Sequence, residues 1–233
     1  MTALGGRRWP EVGAAVLAVP IGATEQHGPH LPLDTDTTIA AELCRRLAAR
    51  VPDLLVAPAL PYGSSGEHAG FPGTLSIGRR ALELVLVELA RSADHFRGVV
   101  FVNGHGGNLV PLRDAVRLLR SEGRRVLAWS PSGSPDDTHA GRRETSVLLR
   151  LRPADVRSDV AEPGNTAPLS ELMERLARDG VRAVSANGVL GDPAGASAAE
   201  GERLLTSWTE SLVSAVHRWQ AGDVTLAGGT HGQ

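Results

Sequence analysis

The 233-residue chain carries 24 basic and 26 acidic side chains, so its formal charge of −2 leaves no electrostatic footprint for nucleic acid or an anionic membrane. At 42% hydrophobic and 21% charged residues it has the make-up of a soluble globular protein, long enough for one large domain over a sizeable core. Every basic residue is arginine, which excludes a Schiff-base lysine and the lysine of a phosphate-binding P-loop, and the lone Cys44 excludes an internal disulfide.

The opening "RRWPEVGAAVLAVPIGA" resembles a leader, but Pro10 and Glu11 interrupt it and cleavage near Ala18 or Ala23 would remove a strand. No apolar run approaches the ~20 residues of a membrane span. With a single thiol, the expected setting is cytoplasmic. Four apolar runs, at 14–22, 54–60, 98–104 and 124–130, read as strands buried on both faces. Helical spacing appears between them. Ile39, Leu43 and Leu47 line a helix over 37–50; Leu82, Val85, Leu86, Leu89, Ala93 and Phe96 mark a second; Leu112, Val116 and Leu119 mark a third, ended by Gly123. Further helices are expected at 144–151, 169–180 and about 198–219, the last with Leu204, Leu205, Trp208, Leu212 and Val216 on its apolar face. Residues 228–233, with His231, read as a frayed tail. Strand–helix alternation predicts a single-domain three-layer α/β/α sandwich with a mostly parallel central sheet.

Active sites in such sheets lie beyond the carboxyl ends of strands, where two polar clusters fall. In "TEQHGPHLPLDTD", Glu25 and His27 are two apart, so an extended segment points both side chains the same way. Pro29 and Pro32 can turn the chain so that Asp36 returns toward them. Glutamate, histidine and aspartate together suit a borderline divalent ion; the competing reading makes Asp36 the N-cap of a helix starting at Thr37 and the rest solvated loop. His30 and Asp34 are read as supporting or structural residues. "VVFVNGHGGN" is strand, glycine-rich turn and helix start, with His105 at the tip. An anion cradle is its alternative use, but no G-x-G-x-x-G is present. In "DTHAGRRETS", His139 is expected on a loop, Gly141 to permit the turn, and Glu144 in the first turns of a helix, where it could merely favour the positive helix end. His95 and His217 read as surface residues within helical stretches. Glu67, His68 and Ser76 of the polar loop 62–78 are possible substrate contacts with no assigned role. Without a G-x-S-x-G elbow, and with Cys44 inside an amphipathic helix, nucleophilic serine or cysteine catalysis has no support.

Taken together, "EQHGPHLPLDTD", "GEHAGFPGTLSIG", "VFVNGHGGN" and "HAGRRETS" resemble the creatininase (creatinine amidohydrolase) family, in family order over residues 24–147. The resemblance implies an α/β/α fold, two divalent metal ions (zinc, iron or manganese) and hydrolysis of unactivated or cyclic amides. It carries Glu25, His27, Asp36 and His105 over as metal ligands, with Asp36 bridging, and His139 as the catalytic or substrate-binding histidine. One departure stands out: creatininase has a glutamate ligand two residues after the loop histidine, where this chain has Gly107. Glu144 would then complete the second ion's ligands. "PLDTDT", "SGEH", "GTLSIG", "HAGRRETSVLL", "PADVR", "GVLGDP" and "AAEG" are similar to the branch that matures the mycofactocin precursor peptide. That branch implies a peptidase removing a C-terminal Val-Tyr-derived dipeptide from a modified precursor peptide. Two alternatives are a small-molecule amidohydrolase acting on a formamide or lactam and a metal-free phosphate-binding protein. Family members assemble, and Trp208 and Trp219 on the final helix offer apolar surface beyond one small core, so a homo-oligomer is expected.

Overall fold

The structure, a computed structural model, describes residues 3–222, so the expected tail at 228–233 lies outside the described residues. Four strands, β1 (Val16–Ile21), β2 (Leu54–Val56), β3 (Gly98–Asn103) and β4 (Val126–Trp129), form one sheet in the order β2-β1-β3-β4. All three pairings are parallel, with Val16 opposite Leu54 and Gly98, and Val99 opposite Val126. The run at 54–60 pairs as a strand only through Val56, and Leu60 rejoins β1 by a single bridge to Ile21. Pro58 lacks the N–H that would continue the ladder.

The helices are α1 (Thr35–Ala48), α2 (Gly78–Ser92), α3 (Leu109–Ser121), α4 (Arg142–Leu151), α5 (Leu169–Asp179), α6 (Val181–Val184) and α7 (Ala198–Gln220). Alternate residues of the central strands face opposite ways and define two cores. Val16, Ala18, Val100 and Val102 pack with Ile39, Leu43 and Leu47 of α1, Val147 and Leu148 of α4, and Leu205 and Leu212 of α7. Leu17, Val19, Val99 and Phe101 pack with Leu82 and Leu86 of α2 and Leu112, Val116 and Leu119 of α3. The sheet is therefore sandwiched between two helical layers, as the strand–helix alternation requires.

Three sequence expectations change. Val85 is exposed rather than on the packed face of α2. His95 sits in the turn after α2, although it is on the surface, as is His217 on α7. Trp208 and Trp219 are only 6% and 5% exposed and belong to the core, so they offer a partner no surface. The 23-residue helix α7 lies along the sheet layer, and a helix packed over its length buries its large aromatic side chains there.

The order β2-β1-β3-β4 places the reversal of winding between β1 and β3. The crevice beyond the carboxyl ends of two such strands is where ligands bind in open α/β sheets.

Candidate metal centre

Five elements bring ionisable groups to that crevice. The segment after β1 supplies Glu25 and His27, the loop after β3 supplies His105, and the first turn of α1 supplies Asp36. The stretch between β4 and α4 supplies His139, and the first turn of α4 supplies Glu144. Asp36 is not a helix cap: α1 starts at Thr35 with Asp34 at its N-cap position, and neither the start nor the cap uses the Asp36 side chain. Asp34 instead pairs with Arg152 at 2.7 Å. Asp36 can reach the crevice because Gly104 has no side chain; a Cβ there would lie 2.5 Å from the Asp36 carbonyl oxygen.

The glycine-rich turn is held by asparagines. Asn103 Nδ2 donates to the His105 carbonyl at 2.8 Å, and Asn108 Nδ2 donates to the Gly22 carbonyl at 3.0 Å, tying the β3 loop to the end of β1. His105 Nε2 lies 3.1 Å from the Ser64 carbonyl, which leaves Nδ1 facing inward, 3.2 Å from Glu25 Oε1 and 3.3 Å from Asp36 Oδ2. In the same way His27 Nδ1 donates to the Glu25 carbonyl at 3.1 Å, and its Nε2 faces Asp36 Oδ1 at 3.1 Å and Glu144 Oε2 at 3.9 Å. Tying the outer ring nitrogen to a carbonyl is how proteins present the inner one to a metal.

His139 is not on a loose loop apart from these groups. Its ring centroid lies 4.3 Å from that of His27, and its Nδ1 is 3.7 Å from Glu25 Oε1. Ala140, not Gly141, makes the left-handed turn, with φ of 52°, and its N–H donates to Glu144 Oε2 at 2.6 Å. That conformation is costly for a residue with a Cβ and is the kind of strain found at functional sites.

The ligand atoms of three triads lie within 4.8 Å of one another: Glu25–His27–His139, Glu25–Asp36–His105 and His27–Asp36–Glu144. Asp36 belongs to two of them and turns one oxygen toward each histidine. Glu25 Oε1 and Oε2 and Asp36 Oδ2 are buried and receive no hydrogen bond. Buried anionic oxygens without donors are costly unless a cation neutralises them. The donor set of carboxylates and imidazoles fits divalent zinc, manganese or iron.

The charges respond to one another. Burial opposes protonation of His27, but Asp36, then Glu144 and Glu25, lift it to about 10. Burial likewise opposes, and Glu25 and Asp36 overcome it to hold His105 well above its ordinary value. Against burial, the same histidines hold the Asp36 carboxyl far below the usual carboxylate range. Burial raises Glu144 to about 7, against the pull of His27. Burial and then His27 hold His139 well below its ordinary value, so it stays neutral.

Two groups without an assigned role in the sequence join the site. His68 is buried with Nε2 3.4 Å from Glu25 Oε1, and burial followed by His139 depresses it to about 3. Glu67 Oε1 lies 3.6 Å from His105 Nε2, and a Cβ on Gly107 would come within 2.4 Å of that oxygen. Gly107 is thus the room that Glu67 occupies. Their signals in the sequence were the polar loop 62–78, which marked both as possible substrate contacts, and the family-like "GEHAGFPGTLSIG" block. Ser76, by contrast, is structural, accepting from the Ser65 N–H at 2.9 Å. His30 lies in the core with Nε2 2.9 Å from Thr145 Oγ1. A cavity of about 740 Å³ lies elsewhere beside Trp9, lined by Leu4, Leu60 and Phe96, and holds none of these groups.

The family description Creatinine amidohydrolase matches residues 7–216. The chain belongs to the creatininase family. It is 54% identical to the mycofactocin precursor peptide peptidase of Mycolicibacterium smegmatis over 88% of this chain and 85% of that protein. It is 31% identical to the creatinine amidohydrolase of Pseudomonas putida over 88% and 89% of the two chains. A creatininase structure named for manganese superposes with a TM-score of 0.78 at 29% identity, covering 93% of this chain and 98% of that one. As a creatininase-family member the chain is a hydrolase acting on C–N bonds, and the family fold agrees with the α/β sandwich described above. No helix among the described residues is long and apolar enough to cross a membrane.

Proposed function

We propose that this chain is a divalent-metal peptidase that removes the C-terminal Val-Tyr-derived dipeptide from a modified mycofactocin precursor peptide. The observation that carries the metal chemistry is the set of buried Glu25 and Asp36 oxygens without hydrogen bonds, inside triads completed by His27, His105, His139 and Glu144. The substrate rests on the 54% identity to a precursor peptide peptidase. Glu25, His27, Asp36, His105 and Glu144 would hold two divalent ions, with Asp36 shared between them. Such a pair supplies Lewis-acid polarisation of the amide carbonyl and an acidified water.

The protein's own groups do the rest. His139 Nε2 is 2.8 Å from the Gln26 carbonyl, so its Nδ1 is the atom free to take a proton and return it to the leaving nitrogen. His27 and His105, tied by their outer nitrogens, keep the ligand geometry rigid. A formamide or lactam hydrolase is the weaker reading, because the chain is 31% identical to the creatinine amidohydrolase against 54% to the peptide peptidase.

The test is mass spectrometry after incubating metal-loaded protein with modified precursor. Loss of the terminal dipeptide is expected; an intact precursor beside a hydrolysed formamide or lactam would move the assignment to small molecules. A homo-oligomer in the cytoplasm is the proposed state, resting on the family likeness and on one buried, free thiol, Cys44. A monomeric mass by light scattering at micromolar concentration would remove the oligomer.

A further inference from the structure

Gln26 lies between Glu25 and His27, is 5% exposed and has its side-chain amide against His139 of the first triad. Its Oε1 accepts from the Gly28 N–H at 2.8 Å, which sets the orientation of the amide. The Nε2 group then has three neighbours: the Gly188 carbonyl at 3.0 Å, His68 Nδ1 at 2.9 Å and His139 Nε2 at 3.0 Å. An amide has two hydrogens to give, and a carbonyl can only accept, so one goes to Gly188. The other must be shared out between two imidazoles.

His139 Nε2 has a second neighbour that can only accept, the Gln26 backbone carbonyl at 2.8 Å. If His139 Nε2 carries the proton, it satisfies that carbonyl and releases the amide hydrogen for His68 Nδ1. The reverse assignment leaves the carbonyl without a donor and sets the His68 Nδ1 proton against an N–H. A buried donor facing a donor costs the full penalty of an unmade hydrogen bond. The network therefore closes one way only, with both rings protonated on Nε2. Gly188 makes it possible: at φ of +83° it has no Cβ, which would lie 1.9 Å from Gln26 Oε1.

We propose that Gln26 is a positioning residue that fixes the tautomers of His68 and His139 through one side chain and one carbonyl. In that state the Nε2–H of His68 lies 3.4 Å from Glu25 Oε1, too long and misaligned for a hydrogen bond, and sets the positive end of the ring dipole beside a carboxylate shared by two triads. His139 meanwhile keeps a bare Nδ1 toward Glu25. The tautomer assignment stands on the metal-free geometry; only its effect on turnover rests on the hydrolase reading.

The experiment is nitrogen-15 NMR of histidine-labelled, metal-free protein, with metal retention and kinetics measured on the same variants. Wild-type His68 and His139 should both show the Nε2–H tautomer. In Gln26→Glu the side chain becomes an acceptor facing His68 Nδ1, so His68 should switch to Nδ1–H while His139, held by the backbone, stays as it was. Metal affinity should fall by about tenfold, and kcat should fall similarly with KM little changed, the scale typical for partners of metal ligands. Gln26→Ala should leave His68 as a tautomer mixture, and it keeps the test available if the glutamate variant does not fold. A wild-type His68 in the Nδ1–H form, or an unchanged His68 in either variant, overturns the proposal. A correct tautomer pattern with no peptide cleavage would leave the inference standing and remove the substrate reading.

Discussion

Loading the centre with metal should release protons, in a number the structure sets. Coordination requires neutral imidazole. At pH 7 His27, at about 10, and His105, well above its ordinary value, both carry protons that they must shed to bind a cation. Glu144, at about 7, is half protonated. His139 and His68 are neutral already and contribute nothing. Filling both positions should therefore expel roughly two to two and a half protons at pH 7. Affinity must rise with pH; for His27 alone, three pH units below its folded value cost about 4 kcal/mol, roughly a thousandfold. The sign for the metal-free fold is opposite. A histidine raised from ~6.5 to about 10 stabilises fully below pH ~6.5, and that contribution is lost as pH rises through about 10. Calorimetric titration with zinc at pH 7, in two buffers of different ionisation enthalpy, counts the protons directly. Release of less than about one proton would refute the charge assignment of His27 and His105.

Asp36→Ala should abolish metal retention and activity while the circular dichroism of the folded chain persists, because Asp36 is a member of two triads and caps no helix; full metal content in that variant would sink its ligand role. Glu144→Ala should lose about one of two metal equivalents by elemental analysis, whereas Glu67→Ala, whose carboxylate lies outside every triad, should keep both. Gly107→Ala puts a Cβ 2.2 Å from the Ser64 carbonyl and 2.4 Å from Glu67 Oε1, so it should lower stability by roughly 1–3 kcal/mol in thermal unfolding. An unchanged midpoint would mean that Glu67 simply swings away.

The alternation of buried apolar runs with helical periodicity was enough to specify a parallel sheet between helical layers. Short-range spacing also placed Glu25, His27 and His105 where that sheet presents its ligand edge, because periodicity and chain order report local conformation and strand direction directly. Asp36 carried two local readings, cap or ligand; the start of α1 at Thr35 removes the cap, and the close approach of α1 to Gly104 brings the carboxylate beside His27 and His105. Trp208 and Trp219 read as spare surface from helical spacing alone, which shows that a face is apolar but not whether another layer covers it. His68 and Glu67 lay in a polar loop with no periodicity, and contacts between residues 43 and 38 apart in the chain brought His68 to Glu25 and Glu67 to His105. Gln26 was the least legible of all. Its role depends on which of its amide atoms meets which neighbour, and those neighbours, His68, His139 and Gly188, come from three segments that only the packed fold assembles.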